Sequence, residues 1–253
     1  MLNRRHYLAE LEPAVREALV PSLLEGLPHT MRDGATEKAV LNGFLEDRIP
    51  GIVCRPTRPC GEGQGQLGFA FPERIDQQRV RSSLIVDADQ VSGFLSPYEV
   101  MDRAVRQSPP THPGLVSIAG LGERFGVRLG LLGSAALAAV TGLAYVRPDS
   151  DLDILVDAGH GGDIEAFYQA VSSLSGELGL SVDAEMEINS CLGVKLKEYF
   201  SEAREILVKT IYDVSLVDRE KLCVSSGVPM FEKHRLGGVT GECKKSPQNQ
   251  PSN

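Results

Sequence analysis

No apolar run in this 253-residue chain approaches the ~18–20 residues of a membrane span. The start, Met1 to His6, carries basic residues. The next stretch is amphipathic and acidic (Glu10, Glu12, Glu17), without the continuous apolar core of a signal peptide. Cysteine is scarce and scattered. The five residues Cys54, Cys60, Cys191, Cys223 and Cys243 are odd in number and include no CxxC pair. That pattern speaks against a structural zinc site and for reduced thiols in the cytoplasm. Positive charge is in deficit: 26 Lys plus Arg against 34 Asp plus Glu leave a formal charge of −8. Sequence-blind binding to a nucleic-acid backbone needs net or locally dense positive charge, so the balance argues against that function class. It does not exclude a small phosphorylated substrate held by metal ions. With 42% hydrophobic and 24% charged residues the balance is globular, enough for one large domain or two small ones.

Leu8, Leu11, Val15, Ala18 and Leu19 are spaced as on an amphipathic helix over Tyr7 to Leu24, broken or restarted near Pro13 and Pro21. A second helix is predicted from about Ala35 to Glu46. Strands come next at Ile49 to Arg55, Leu67 to Phe71 and Val80 to Val86, with a glycine-rich turn at Cys60 to Gln66. Ser96-Pro97-Tyr98-Glu99 has a capping serine, a first-turn proline and an acid, so it starts a helix. The break at Ser108 to Thr111 makes this stretch a domain seam. Beyond it helices (Leu115–Arg124, Ala135–Val140, Ile164–Leu178, Ser201–Lys209) interleave with strands (Val127–Leu132, Leu152–Val156, Leu180–Ile188, Val194–Tyr199). The predicted class is α+β. Residues 1–107 form a small α+β domain, 108–235 a catalytic domain with helices on a mixed sheet, and 236–253 a disordered polar tail.

Chemistry concentrates in a few short segments. Asp151 and Asp153 stand two apart at the start of an apolar strand, so both carboxylates point to one face while Leu152, Ile154 and Val156 point into a core. Paired acids on a rigid strand suit Mg²⁺, which takes few protein oxygens and keeps positions for water and phosphate. The same spacing also suits one Asp ending the strand and the other hydrated in a loop. Gly133-Ser134 comes after a hydrophobic strand and opens a helix of small residues. Glycine lets a phosphate approach the backbone, and the serine hydroxyl and nearby N–H groups bind its oxygens. A plain tight turn, or a dinucleotide fingerprint lacking its third glycine, is the competing account. The run Val182 to Glu187 places Asp183, Glu185 and Glu187 on one strand face.

Strand, Gly-Ser, helix, then Ser150-Asp151-Leu152-Asp153 and strand resembles the polymerase-β-like nucleotidyltransferase superfamily. The resemblance implies a triphosphate held by Gly133 and Ser134, and two Mg²⁺ ions held by Asp151, Asp153 and a third carboxylate, Asp183 first and Glu185 second. A narrower likeness lies in Thr141 to Val146 and Arg147-Pro148-Asp149-Ser150-Asp151-Leu152-Asp153, with the long insert between Gly133-Ser134 and Ser150-Asp151. It resembles the phosphoribosyl-dephospho-CoA transferases, the holo-acyl-carrier-protein synthases of malonate decarboxylase. Leu207-Val208-Lys209-Thr210 and Leu216 to Arg219 are also similar, and more loosely so are Arg5-His6, Leu67-Gly68 and Arg79/Arg81. The family implies transfer of a prosthetic group from triphosphoribosyl-dephospho-CoA to a serine of the acyl carrier subunit, with pyrophosphate released. Arg147 and Lys209 are further candidates for binding the phosphates. Lys195 and Lys197, set on one face of the predicted strand, are candidates for docking an acidic carrier. Nucleic acid and membrane are not expected partners. Another nucleotidyltransferase, or a silent binding module of the same fold, shares the framework; that all three acidic positions are filled counts against the silent one.

Overall fold

The computed structural model describes residues 1–222. The elements are β1 (Leu8–Leu11), α1 (Pro13–Glu25), α2 (Gly34–Leu45), β2 (Gly51–Cys54), β3 (Gln64–Ile75), β4 (Gln78–Asp87), β5 (Val91–Leu95) and α3 (Pro97–Ala104). They continue with α4 (Leu115–Phe125), β6 (Leu129–Leu131), α5 (Gly133–Thr141), β7 (Leu152–Asp157), α6 (Ile164–Leu178), β8 (Val182–Ile188), β9 (Leu192–Lys195), α7 (Leu196–Tyr199), β10 (Glu205–Lys209) and β11 (Val214–Asp218). The fold is α+β, built on two sheets. The first is antiparallel, ordered β4-β3-β2-β1-β5; the second is mixed, ordered β11-β10-β9-β8-β7-β6. Its one parallel pair, β7 with β8, is joined through α6. A parallel connection needs a crossover, and a 15-residue helix supplies it.

The expected helix over Tyr7 to Leu24 starts only at Pro13, because Leu8–Leu11 is a strand held between β2 and β5. A four-residue segment with Leu8, Ala9 and Leu11 apolar and Glu10 exposed fits either period, and tertiary pairing decided it. Pro13 has no N–H to lose at a helix start. Two readings near the end of the fold are corrected. Ser201 to Lys209 is not a helix: Glu205–Lys209 is strand β10, whose buried Ile206 and Val208 alternate with outward residues, and it pairs with both β9 and β11. Val194 to Tyr199 is not one strand: β9 ends at Lys195 and Leu196–Tyr199 makes a single helical turn. The predicted tail at 236–253, and residues 223–235 of the catalytic segment, lie outside the described residues.

Ser96 behaves as its sequence foretold. Its hydroxyl accepts from Glu99 N–H while Glu99 reaches back to Ser96 N–H, a reciprocal cap that sets the direction of α3 as it leaves β5. Helices α1 and α2 pack on the first sheet, where Phe44 meets Phe69 edge to face at 5.2 Å. Buried Arg16 spends its guanidinium on the carbonyls of Phe44, Arg48 and Ile49, closing the end of α2. Tyr145, fully buried in the long insert, donates its hydroxyl to Ala70 O at 2.8 Å and so pins the insert to β3. No helix of the described residues is long and apolar enough to cross a membrane.

Candidate active site

The site grows from the N-terminal ends of β7 and β8. Leu152, Ile154 and Val156 are fully buried, which turns Asp153 outward to the opposite face. Parallel pairing sets Asp153 directly beside Asp183. Asp151 is exposed just before the strand. Its loop is tethered by buried His112: Gly114 N–H donates to Nδ1, which leaves the proton on Nε2 to donate to Ser150 O at 3.0 Å. Burial, then the charge of Asp183, and to a smaller degree that of Asp151, hold the Asp153 carboxyl above its ordinary range, against the pull of Lys195 and His6.

The Gly133-Ser134 turn lies against this carboxylate. Gly133 has φ +61°, and a Cβ built there would sit 2.1 Å from Asp153 Oδ2. Glycine is therefore required twice, for the left-handed backbone and for the approach of Asp153. Gly133 itself is exposed, so the first turn of α5 is open to a ligand. Ser134 Oγ accepts from Arg79 Nη2 at 3.2 Å; Arg79 comes from β4 of the first sheet and also holds Tyr145 O at 2.9 Å and Phe71 O at 3.1 Å.

The three acids of β8 have separate fates. Asp183 pairs with Lys195 across β9. Glu185 is buried and takes Arg5 at 2.9 Å, His6 at 3.0 Å and Lys209 at 3.7 Å. Burial would raise its pKa, but the hydrogen bond and charge of His6, then of Arg5, overcome that and hold it at about 2. Gly193 makes room for this pair, since a Cβ there would lie 2.3 Å from both Arg5 Nη1 and Glu185 Oε1. Glu187 accepts from Tyr98 Oη at 2.9 Å, and burial raises its carboxyl.

The structure thus brings Asp151, Asp153, Asp183, Gly133 and Ser134 together. It sends Lys209 to Glu185 and places it on a strand, not a helix. Arg147 lies exposed between Asp149 at 3.5 Å and Gln77 at 3.1 Å. Lys195 and Lys197 do not share a strand face, because Lys197 is on α7, yet both line a cavity of about 670 Å³ with Asp151 and Asp183. That cavity runs between α6 and α7 over Phe167, Tyr168 and Leu196. Sequence reasoning missed the roles of His112, Arg79 and Arg5 and the partner of His6; each of the four meets a partner at least 38 residues away. The only signal for Arg5, His6 and Arg79 was their place in the looser upstream likeness.

The donor set suits a hard divalent cation. It is all carboxylate oxygen, and the charges of Asp183 and Asp151 add to burial in raising the Asp153 carboxyl. Among the described residues no three His, Cys, Asp or Glu side chains converge into a group that could by itself hold a metal ion. An ion that completes its shell with water and substrate phosphate needs no such group.

Residues 99–220 match the family model of the phosphoribosyl-dephospho-CoA transferase MdcG C-terminal domain, and residues 4–97 that of its N-terminal domain. The chain belongs to the phosphoribosyl-dephospho-CoA transferase family. It is 30% identical to the phosphoribosyl-dephospho-CoA transferase of Bradyrhizobium diazoefficiens over 86% of this chain and 91% of that one. Against the enzymes of the same name from Xanthomonas euvesicatoria pv. vesicatoria and Xanthomonas axonopodis pv. citri it is 27% and 26% identical, over 69% and 76% of this chain and 81% and 92% of theirs. No solved structure matches the chain. The protein is a transferase enzyme, and the transferase family's two matched regions meet in the contact between Arg79 and Ser134.

Proposed function

We propose that this transferase moves the 2′-(5″-phosphoribosyl)-3′-dephospho-CoA group from its triphosphate donor to a serine on the acyl carrier subunit of malonate decarboxylase, releasing pyrophosphate in the cytoplasm. The carrying observation is the abutment of Gly133 on Asp153, which sets a phosphate-binding turn against a carboxylate cluster. Ser134 and the first N–H groups of α5 bind the departing phosphates. The serine Oγ bonds to the phosphorus next to the ribose, and the bond from that phosphorus to pyrophosphate breaks. Asp183, half-exposed on the cavity side, accepts the serine proton and passes it to solvent. Lys195 balances the Asp183 charge while the site awaits substrate. Two Mg²⁺ ions, for which Asp151, Asp153 and Asp183 are the holding residues, would supply charge neutralisation at the leaving phosphates and acidify the serine. The test is to incubate the protein with purified carrier subunit, triphosphoribosyl-dephospho-CoA and Mg²⁺ and weigh the carrier. A mass gain on the serine is expected; an unmodified carrier under saturating donor overturns the reading.

A further inference from the structure

Four guanidinium groups gather where the first sheet meets the Gly133-Ser134 turn. Arg74 and Arg79 are cross-strand partners at the end of the β3–β4 hairpin, and Arg81 lies two residues on, along the same face of β4. Arg147 reaches the hairpin from the long insert, donating to Gln77 Oε1 at 3.1 Å, and Arg74 donates to the backbone of the same residue at 2.9 Å. Among the described residues, none of Arg74, Arg79 and Arg81 has a carboxylate partner; Arg147 alone has one, the exposed Asp149. Glu73 and Asp76 lie in the same hairpin but are exposed and pair with none of the four. Clustered like charges repel, and burial followed by the charges of Arg74, Arg81 and Arg147 indeed lowers the pKa of Arg79. A cluster of this kind is relieved by a multiply charged anion.

We propose that Arg74, Arg81 and Arg147 form the docking site for the polyphosphate tail of the donor, with Arg79 as the residue that positions Ser134. This rests on the reading of the donor given above and adds the first sheet to the phosphate site. Arg79 donates to Ser134 Oγ, so that oxygen's own hydrogen is left to point at a phosphate. The other nitrogen of the fork is fixed on Phe71 O, which locks the geometry of the turn. Lys209, by contrast, lies beside Glu185 on β10, so the basic charge for the phosphates comes from β4 and the insert, not from β10.

The experiment is calorimetric titration of the full chain with inorganic triphosphate in the presence of EDTA, so that no metal bridges the two. Wild-type protein is expected to bind, with an affinity that falls as salt rises. Arg74→Ala with Arg81→Ala, both at exposed positions, should weaken binding by about tenfold or more and flatten its salt dependence. The single charge reversal Arg81→Glu should do the same. Arg79→Lys should raise the donor KM while kcat holds, and combining it with Ser134→Ala should add little. Absence of triphosphate binding to wild type, unchanged affinity in the Arg74/Arg81 pair, or an equal loss on Lys209→Ala overturns the proposal. A wild type that binds triphosphate yet leaves the carrier unmodified defeats the functional reading alone.

Discussion

Gly133 and Asp153 occupy space that only a glycine can share: a Cβ on the first would fall 2.1 Å from Oδ2 of the second. The turn that opens α5 and the strand that carries the acids are thereby fixed as one unit. Their relative placement comes from β6 pairing with β7, together with the Leu132 N–H that donates to Asp153 O at 3.0 Å.

Gly133→Ala should remove activity and cost stability, since the left-handed backbone alone penalises a side chain by about 1–2 kcal/mol. The steric part is separable. Gly133→Ala combined with Asp153→Gly should melt closer to wild type than Gly133→Ala does, while remaining inactive. Thermal unfolding of the three variants checks this, and a double variant no more stable than the single one would place the clash elsewhere.

Asp153→Asn should also be inactive, but it should be at least as stable as wild type at neutral pH. The Asp153 carboxyl is raised, so its ionised form is disfavoured in the fold. Its penalty grows as pH rises from the ordinary value of 3.8 through the raised one, and is absent below 3.8. The stability advantage of the variant should therefore close on acidification. Denaturant melts at acid and neutral pH measure it.

Glu185→Gln should destabilise the protein without reaching the reacting phosphate directly. The buried carboxyl falls from 4.5 to about 2, worth about 3 kcal/mol at 1.36 kcal/mol per unit. This contribution is fully present above pH 4.5 and disappears as pH drops through about 2. Because Arg5 and His6 make the pair, chain lacking residues 1–6 should lose much of the same stability. A Glu185→Gln melt matching wild type at pH 7 would contradict the assignment.

Lys195 and Lys197 should separate in their effects. Lys195 pairs with Asp183, so Lys195→Ala should lower kcat with little change in carrier KM. Lys197 is exposed at the rim of the cavity, so Lys197→Glu should raise the KM for an acidic carrier and weaken its salt dependence, with donor KM unchanged. Steady-state kinetics against each substrate distinguish the two; parallel effects would mean that the lysines act as one patch.

Ser134→Ala should raise donor KM more than it lowers kcat. A hydroxyl donating to a charged phosphate contributes roughly 1.5–3 kcal/mol, about tenfold or more in KM. Unchanged KM and kcat would leave the turn a purely structural one.

Local pattern was enough for the α+β class, the small-residue helix after Gly133-Ser134 and the outward face of Asp153, because these depend on periodicity and on neighbours within a few residues. Ser96 with Glu99, and Ile154 with Val156, are of this kind. Long-range contacts settled what distance along the chain conceals. Leu8–Leu11 became a strand because β2 and β5 flank it, and Glu205–Lys209 became one because β9 and β11 do. The same holds for the acids of β8, which alternate alike in sequence. Asp183 stands beside Asp153, while Glu185 is claimed by Arg5 and His6, and Glu187 by Tyr98, with His6 and Tyr98 lying 179 and 89 residues from their partners. A carboxylate's fate is set by the cations and donors that folding brings within a few ångströms, where hydrogen bonds form and charge attraction is strongest.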